Sequence, residues 1–308
     1  MIIESFSQPQ LNATNANFAQ MPWYGGFGYA TCGELIQGSI NRNYFLVNFP
    51  LNYYSHVQVK YNSVPGIHVN STGDYRRLIA ALKHFLQYLG KKNVGLDVRI
   101  NTAVPRSKGL ASSTSELCAA LCAAAKTLNV SISADLISKI ITSVEPSDGT
   151  YYSGIIRYNP LTGEVYERFG NPPSLSCILI DTGGTLDTDT YDRDRALEIC
   201  FSFESKIRYA LSLIRCGFEQ QSSSLIAKAA TISAQCNQKI RFNSAFDYLL
   251  KESLSHGALG VNCAHTGTIC GVLFDPQNIE QEQLQHNMEL SMGSESILGC
   301  YSLISGGI

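Results

Sequence analysis

Apolar and polar residues alternate through Val94, Leu96, Val98 and Ile100, the period-two pattern of a half-buried strand. The period changes on either side of it. Leu78, Leu82, Phe85 and Leu89 recur at helical spacing and predict an amphipathic helix over residues 74–89. Residues 116–128 are rich in Ala and Leu and predict a second helix. Ser133 can cap a third, running to about Val144. Upstream, residues 28–38, 44–48 and 54–61 read as strands with turns between. Downstream, residues 154–169 read as a hairpin turning through Asn159-Pro160-Leu161-Thr162-Gly163. A buried strand follows at 175–181, then helices at 191–216, 222–236 and 244–255. Strands at 259–263 and 269–274 flank a Thr-Gly-Thr turn, and a helix at 277–290 precedes a last strand at 298–304. Strands and helices mixed in both halves predict an α+β fold of two layers. Residues 1–22 are expected to be a loose extension, with order beginning near Phe27. Asn171-Pro172-Pro173 marks the boundary between two expected domains, 23–172 and 173–308.

Composition narrows the class. A chain of 308 residues with 44% hydrophobic and 16% charged residues is that of a folded, soluble protein. A formal charge of −2 gives no basic footprint for nucleic acid and no polybasic patch for a membrane. No apolar run is long enough to span a bilayer, and no signal-peptide pattern opens the chain, so a cytoplasmic location is expected. The ten cysteines are scattered without a Cys-x-x-Cys pair and read as reduced thiols; Cys118 and Cys122, one helical turn apart, read as small core residues. The six histidines form no His-x-x-x-His pair, which argues against a transition-metal site.

Candidate chemistry concentrates where the alternating strand gives way to the Ala-rich helix. Pro105-Arg-Ser-Lys-Gly-Leu-Ala-Ser-Ser-Thr-Ser115 is a small-residue loop with one lysine that opens a helix. The first turn of a helix has unpaired N–H groups and a partial positive charge, and small residues let a polyphosphate approach it. Lys108 adds a full charge, and Ser112 or Ser113 adds a hydroxyl for phosphate or magnesium. A Ser-rich cap alone is the plainer alternative. The loop is not of the Walker type, because Gly-x-x-x-x-Gly-Lys-Ser/Thr is absent.

Asp148 is the second candidate, held in a tight turn by Pro146 and Gly149. Phosphoryl transfer to an alcohol needs an acceptor for the hydroxyl proton, and a fixed carboxylate suits that role. Glu145, together with Ser113, can hold magnesium. Taken alone, Pro-Ser-Asp-Gly is equally an Asx turn. In Ala30-Thr-Cys-Gly-Glu-Leu-Ile-Gln-Gly38, Glu34 and Gln37 can face a ligand, or the stretch is a strand with a bulge. The turn Ala264-His-Thr-Gly-Thr-Ile-Cys-Gly271 can close one wall of a site, or be a simple hairpin.

In this order, segments 28–38, 105–115 and 265–271 resemble the three motifs of the GHMP kinases, whose ATP loop reads Pro-x-x-x-Gly-Leu-x-Ser-Ser. The wordings Cys-Gly-Glu-Leu-Ile-Gln-Gly, Pro-Arg-Ser-Lys-Gly-Leu-Ala-Ser-Ser-Thr and Glu-Pro-Ser-Asp-Gly are most similar to the L-threonine kinase branch. That branch makes L-threonine O-3-phosphate for the aminopropanol arm of cobalamin. The resemblance runs from about Phe27 onward. It implies a two-domain fold with ATP, in the syn conformation, bound in the cleft between the domains. It assigns Pro105, Lys108, Gly109, Leu110, Ala111, Ser112, Ser113 and Thr114 to the nucleotide, and Asp148 to the base. Ser113 and Glu145 are the implied Mg2+ ligands; elsewhere in the superfamily the magnesium carboxylate lies further upstream of the Asp. Glu34, Gln37, His265, Thr266, Gly267 and Thr268 are the implied acceptor wall. The first motif has no lysine to stabilise the base, and Lys108 is its partial substitute. His265, Thr266 and Thr268 stand where glycines or small residues are usual, a departure that bears on the acceptor.

The expected activity is therefore ATP- and Mg2+-dependent phosphorylation of L-threonine or a similar hydroxy amino acid. The expected partner is a small-molecule substrate, with a homodimer left open. Two rivals stand beside it. One is a kinase for another alcohol, such as homoserine or a secondary-metabolite intermediate. The other is a catalytically silent metabolite-binding member of the fold, which the presence of Asp148 disfavours.

Overall fold

The computed structural model describes residues 21–183 and 193–308. The expected loose extension lies almost wholly outside them. The first sheet is built on a long hairpin, β1 (Tyr24–Ile40) and β2 (Asn43–Asn62). Asn41 and Arg42, both at positive φ (52° and 63°), make its tight turn, a geometry that matches the twist of the flanking strands. β1 starts at Tyr24, before the expected Phe27, and the two strands expected at 44–48 and 54–61 are one. Pro50 lies inside β2, opposite Thr31, where the β1–β2 register shifts. A proline is tolerated at such an irregularity because no regular ladder donor is required of it.

β4 (Gly95–Thr102) pairs with the distal half of β2, and β5 (Ile155–Tyr158) with Leu46 and Val47. β3 (Gly66–Val69) runs parallel to β4, and β6 (Val165–Gly170) closes the other side against β5. Three helices cover one face: α1 (Arg76–Tyr88), α2 (Ser112–Thr127) and α3 (Ala134–Thr142). Leu78, Leu82 and Phe85 pack there with Val57, Leu96, Val98 and Ile137. The period-two and period-3.6 patterns thus meet in one apolar layer. α2 lies against β1 because Gly28 has no side chain; a Cβ there would stand 2.1 Å from the Ser115 carbonyl oxygen.

The second sheet is antiparallel, in the order β10 (Ile297–Ser302), β7 (Ser176–Asp181), β9 (Ile269–Phe274), β8 (Gly260–Cys263). α7 (Phe246–Ser255) and α8 (Gln281–Met292) pack on it through Leu249, Leu284 and Met288. The helix expected over 191–216 is two, α4 (Arg193–Phe201) and α5 (Glu204–Glu219), parted at Ser202-Phe203. α8 starts later than expected, because Asp275 accepts from the Gln277 N–H and forms a turn first. α5 and α6 (Ser223–Asn237) share a core with both sheets, in which Ile36, Phe45, Leu179, Ile214 and Ala230 are buried. Leu51 and Leu303 form a bridge between β2 and the segment after β10. Among the described residues no helix is long and apolar enough to cross a membrane.

Candidate active site

Three loops converge where the sheets meet. The first, residues 105–111, joins β4 to α2. It reaches the helix through left-handed backbone at Ser107 (φ 60°), Gly109 (φ 88°) and Ala111 (φ 54°). The Leu110 carbonyl accepts from the Thr31 N–H on β1 at 3.1 Å, and the Lys108 carbonyl accepts from Thr268 and Ile269 at 3.0 and 3.2 Å. The turn at 264–268 seats against this loop at Gly267, where a Cβ would lie 2.1 Å from the Lys108 carbonyl oxygen. The segments singled out in the sequence are thus in direct backbone contact.

No side chain caps the first turn of α2, whose N-cap position is Ala111. The hydroxyls that follow turn outward to other elements. Ser113 donates to Oε1 of Glu145. Thr114 accepts from the Asp148 N–H at 3.3 Å. Ser115 bonds to Ser55 at 2.7 Å and donates to the Ser112 carbonyl at 2.9 Å. The paired serines are therefore not helix caps here. They stand beside a helix N-terminus, which favours anions.

Asp148 sits in the turn after α3, and Asn48 fixes it. The Asn48 amide donates to Oδ1 of Asp148 at 2.7 Å and accepts from the Gly149 N–H at 2.9 Å. Asn48 is itself the cross-strand partner of Glu34 on β1. Burial pushes the Asp148 carboxyl from 3.8 up to about 6; Asn48 opposes this, Glu145 adds to it and Thr114 opposes it. Glu34 is driven well above the ordinary carboxylate range by burial and then by Asp148, with an opposing bond from the His265 backbone. Its Oε2 is buried without a hydrogen-bond partner among the described residues. Loss of water leads both shifts, and a neighbouring carboxylate adds to each, Asp148 at Glu34 and Glu145 at Asp148.

These groups line a cavity of about 710 Å³. Leu110, Ala111, Ser112, Ser113 and Thr114 form one wall, with Gly109 at its edge. Glu145, Asp148, Glu34, His265 and Thr266 face it from other elements. Gln37 stands behind, its Oε1 2.9 Å from Nδ1 of His265; the Tyr44 hydroxyl lies 3.0 Å from Nε2.

Four further expected participants, Lys108, Gly267, Thr268 and Pro105, lie outside the main cavity wall. The Lys108 ammonium does not reach Asp148; it pairs with Asp181 at 2.6 Å, and Thr268 donates to the same carboxylate at 2.6 Å. Partial burial raises Asp181, but Lys108 and then Thr268 pull it below its ordinary value. Gly267 and Thr268 line a separate polar cavity of about 200 Å³. Pro105 is partly buried in the loop and is not part of the main cavity wall.

The sequence reading missed Asn48 and three arginines in the main cavity wall. Arg77 lies 2.9 Å from Oε2 of Glu145, Arg106 is 2.6 Å from Glu116, and Arg76 is 2.7 Å from Asp74. The Arg106 guanidinium also lies over the Tyr75 ring at 4.8 Å. The available signal was the Arg76-Arg77 pair opening a helix, where basic residues oppose the helix dipole.

The residues present fit a magnesium-bound polyphosphate. Ser113 and Glu145 bring hard oxygen donors into contact beside the α2 N-terminus. Among the described residues no group of three His, Cys, Asp or Glu could hold a metal by itself. Magnesium commonly takes one or two carboxylates and completes its shell with phosphate and water.

Residues 76–156 match the GHMP kinases N terminal domain. The chain is 26% identical over 265 residues to an L-threonine kinase of Salmonella typhimurium, covering 86% of this chain and 85% of that protein. A Citrobacter freundii L-threonine kinase is 26% identical over 246 residues, covering 80% and 84%. A homoserine kinase from Cytophaga hutchinsonii superposes with a TM-score of 0.67 at 16% identity, over 95% of this chain and 98% of that one. The chain is thus similar to GHMP kinases over residues 76–156, and its α+β architecture is that of the homoserine kinase it superposes on.

Proposed function

We propose that this protein transfers the γ-phosphoryl group of ATP, with Mg2+, to the hydroxyl of L-threonine or a closely similar hydroxy amino acid. The observation that carries the reading is Asp148. It is locked by Asn48, raised towards neutrality, and set in the same cavity wall as the hydroxyl-lined start of α2. The two L-threonine kinases that match over most of the chain support a kinase acting on a hydroxyl group.

In this reading ATP supplies the phosphoryl group, and Mg2+ neutralises its charge. The first turn of α2, with Ser112, Ser113 and Thr114, holds the phosphates. Ser113 and Glu145 hold the ion. Asp148 takes the hydroxyl proton at a carboxylate oxygen. Glu34, His265 and Thr266 face the acceptor, with Gln37 holding His265. Gly267 and Thr268 shape the turn behind the loop. Lys108 acts through that loop, by anchoring it to Asp181. Alignment and charge neutralisation supply most of the rate. The nucleotide-binding part is residues 23–172, completed by 173–308.

The test is ADP release, with phosphorus NMR of the product, across threonine, serine, homoserine and isoprenoid alcohols. Threonine or a near analogue should give the highest kcat/KM. Preference for an isoprenoid alcohol would overturn the acceptor class, and no ADP release with any alcohol would overturn the kinase reading.

A further inference from the structure

Both oxygens of the Glu145 carboxylate are engaged. Oε1 accepts from the Ser113 hydroxyl, and Oε2 lies 2.9 Å from Nη1 of Arg77. The Glu145 side chain is 9% exposed and that of Arg77 is 44% exposed. A carboxylate so enclosed is costly without a positive partner. Arg77 supplies one from the start of α1, on the other side of Glu145 from Ser113 of α2. The other two guanidinia of the wall face different carboxylates, Arg76 at Asp74 and Arg106 at Glu116. Arg77 therefore already neutralises the carboxylate that a hard cation held by Ser113 and Glu145 would draw on.

We infer that Arg77 is the built-in counter-cation of Glu145. It balances the carboxylate in the nucleotide-free protein, would give the carboxylate up to Mg2+, and would turn its guanidinium onto the phosphates at the α2 N-terminus. The inference rests on the phosphate- and ion-binding roles proposed above. A half-exposed arginine on a long stem can exchange partners, and its planar fork suits phosphate as well as carboxylate. The exchange keeps the site balanced: the ion replaces the guanidinium at Glu145, and the phosphates receive the guanidinium it displaces. A free ion must compete with Arg77. An ion carried by a nucleotide brings Arg77 its new partner.

This predicts shifts of opposite sign. Binding of Mn2+, standing in for Mg2+, is measured by calorimetry and electron paramagnetic resonance, without nucleotide and with a non-hydrolysable ATP analogue. Arg77→Met, which keeps the stem, should bind free Mn2+ roughly tenfold more tightly and the Mn2+–nucleotide complex roughly tenfold more weakly, the scale of one partly exposed charge-assisted pair. Arg77→Lys should lie between Arg77→Met and wild type in both. Adding Glu145→Gln to Arg77→Met should abolish the gain in free-ion affinity. Circular dichroism checks the fold, and Arg77→Gln replaces the Met variant should that one not fold. Unchanged affinities, shifts in one direction, or Mn2+ binding indifferent to Glu145→Gln overturn the inference. Opposite shifts in a protein that phosphorylates no alcohol would refute the kinase reading and leave Arg77 standing. Normal phosphotransfer without opposite shifts would refute only the role of Arg77.

Discussion

Two aspartates flank the loop of residues 105–111, and they are treated in opposite ways. On the cavity side, Asp148 receives one side-chain amide, lies near Glu145, and is raised to about 6. On the far side, Asp181 meets the Lys108 ammonium and the Thr268 hydroxyl, both at 2.6 Å, and is lowered. Burial raises both, more fully at Asp148, and Lys108 then pulls Asp181 down where Glu145 pushes Asp148 up. A carboxylate kept short of positive charge is poised to take a proton. One given a lysine is a clamp. The loop thus carries chemistry on one face and its anchor on the other.

The strongest way to break this contrast is Asp148→Asn. Turnover with saturating acceptor should fall by ~10²–10⁴-fold, the usual contribution of proton acceptance, with nucleotide binding by calorimetry little changed. Near-normal turnover would remove Asp148 from the mechanism. The same variant should be more stable than wild type at pH 8. A folded pKa of about 6 against 3.8 in the unfolded chain means the carboxylate costs nothing below pH 3.8 and its full penalty above about pH 6. Removing it should add at most about 3 kcal/mol in urea unfolding, and no gain would show the raised value to be wrong.

Ser113→Ala sharpens the cavity side. It should lower ATP turnover by about 10–100-fold, the loss of a hydrogen bond to a charged group, with an unchanged circular dichroism spectrum. Wild-type kinetics would sink the assignment. A smaller effect, per pH unit, is the acid limb of kcat/KM. It should bend near pH 6 and fall about tenfold for each unit below. A limb near pH 4 would mean that Asp148 titrates as an ordinary carboxylate.

The anchor side should behave differently. Lys108→Met and Asp181→Asn should each lower unfolding stability by about 1–3 kcal/mol, between exposed and fully buried pairs. Turnover should change less than tenfold in both. A loss comparable with that of Asp148→Asn in the lysine variant alone would restore Lys108 to the chemistry.

Much of this was legible in the chain because it is local. The alternation at Val94–Ile100 and the Ala-rich run after Ser112 are β4 and α2, and Pro146 and Gly149 flag the turn of Asp148. The rest depends on partners far apart in sequence. Nothing near Lys108 announces Asp181, and nothing near Asp148 announces Asn48, a lone polar residue in the apolar run Phe45–Leu51. Ala111 in a left-handed N-cap hides behind serines that look like caps. The break between α4 and α5 falls at Ser202-Phe203, where neither glycine nor proline marks it.

The bridge from Leu51 to Leu303 has a consequence for how the protein is made. Ile304 donates to the Pro50 carbonyl and Gly307 to that of Thr150, close behind Asp148, each at 2.9 Å. Such pairings close loops of great sequence separation, which form late and slowly. On the ribosome, residues 24–170 can complete their own sheet early, yet the Asp148 turn waits for residue 307 to emerge before its last bond is made. A nascent chain held short of that point should therefore shield its apolar layer well before its site is set, and nucleotide added during synthesis should protect only chains released past it.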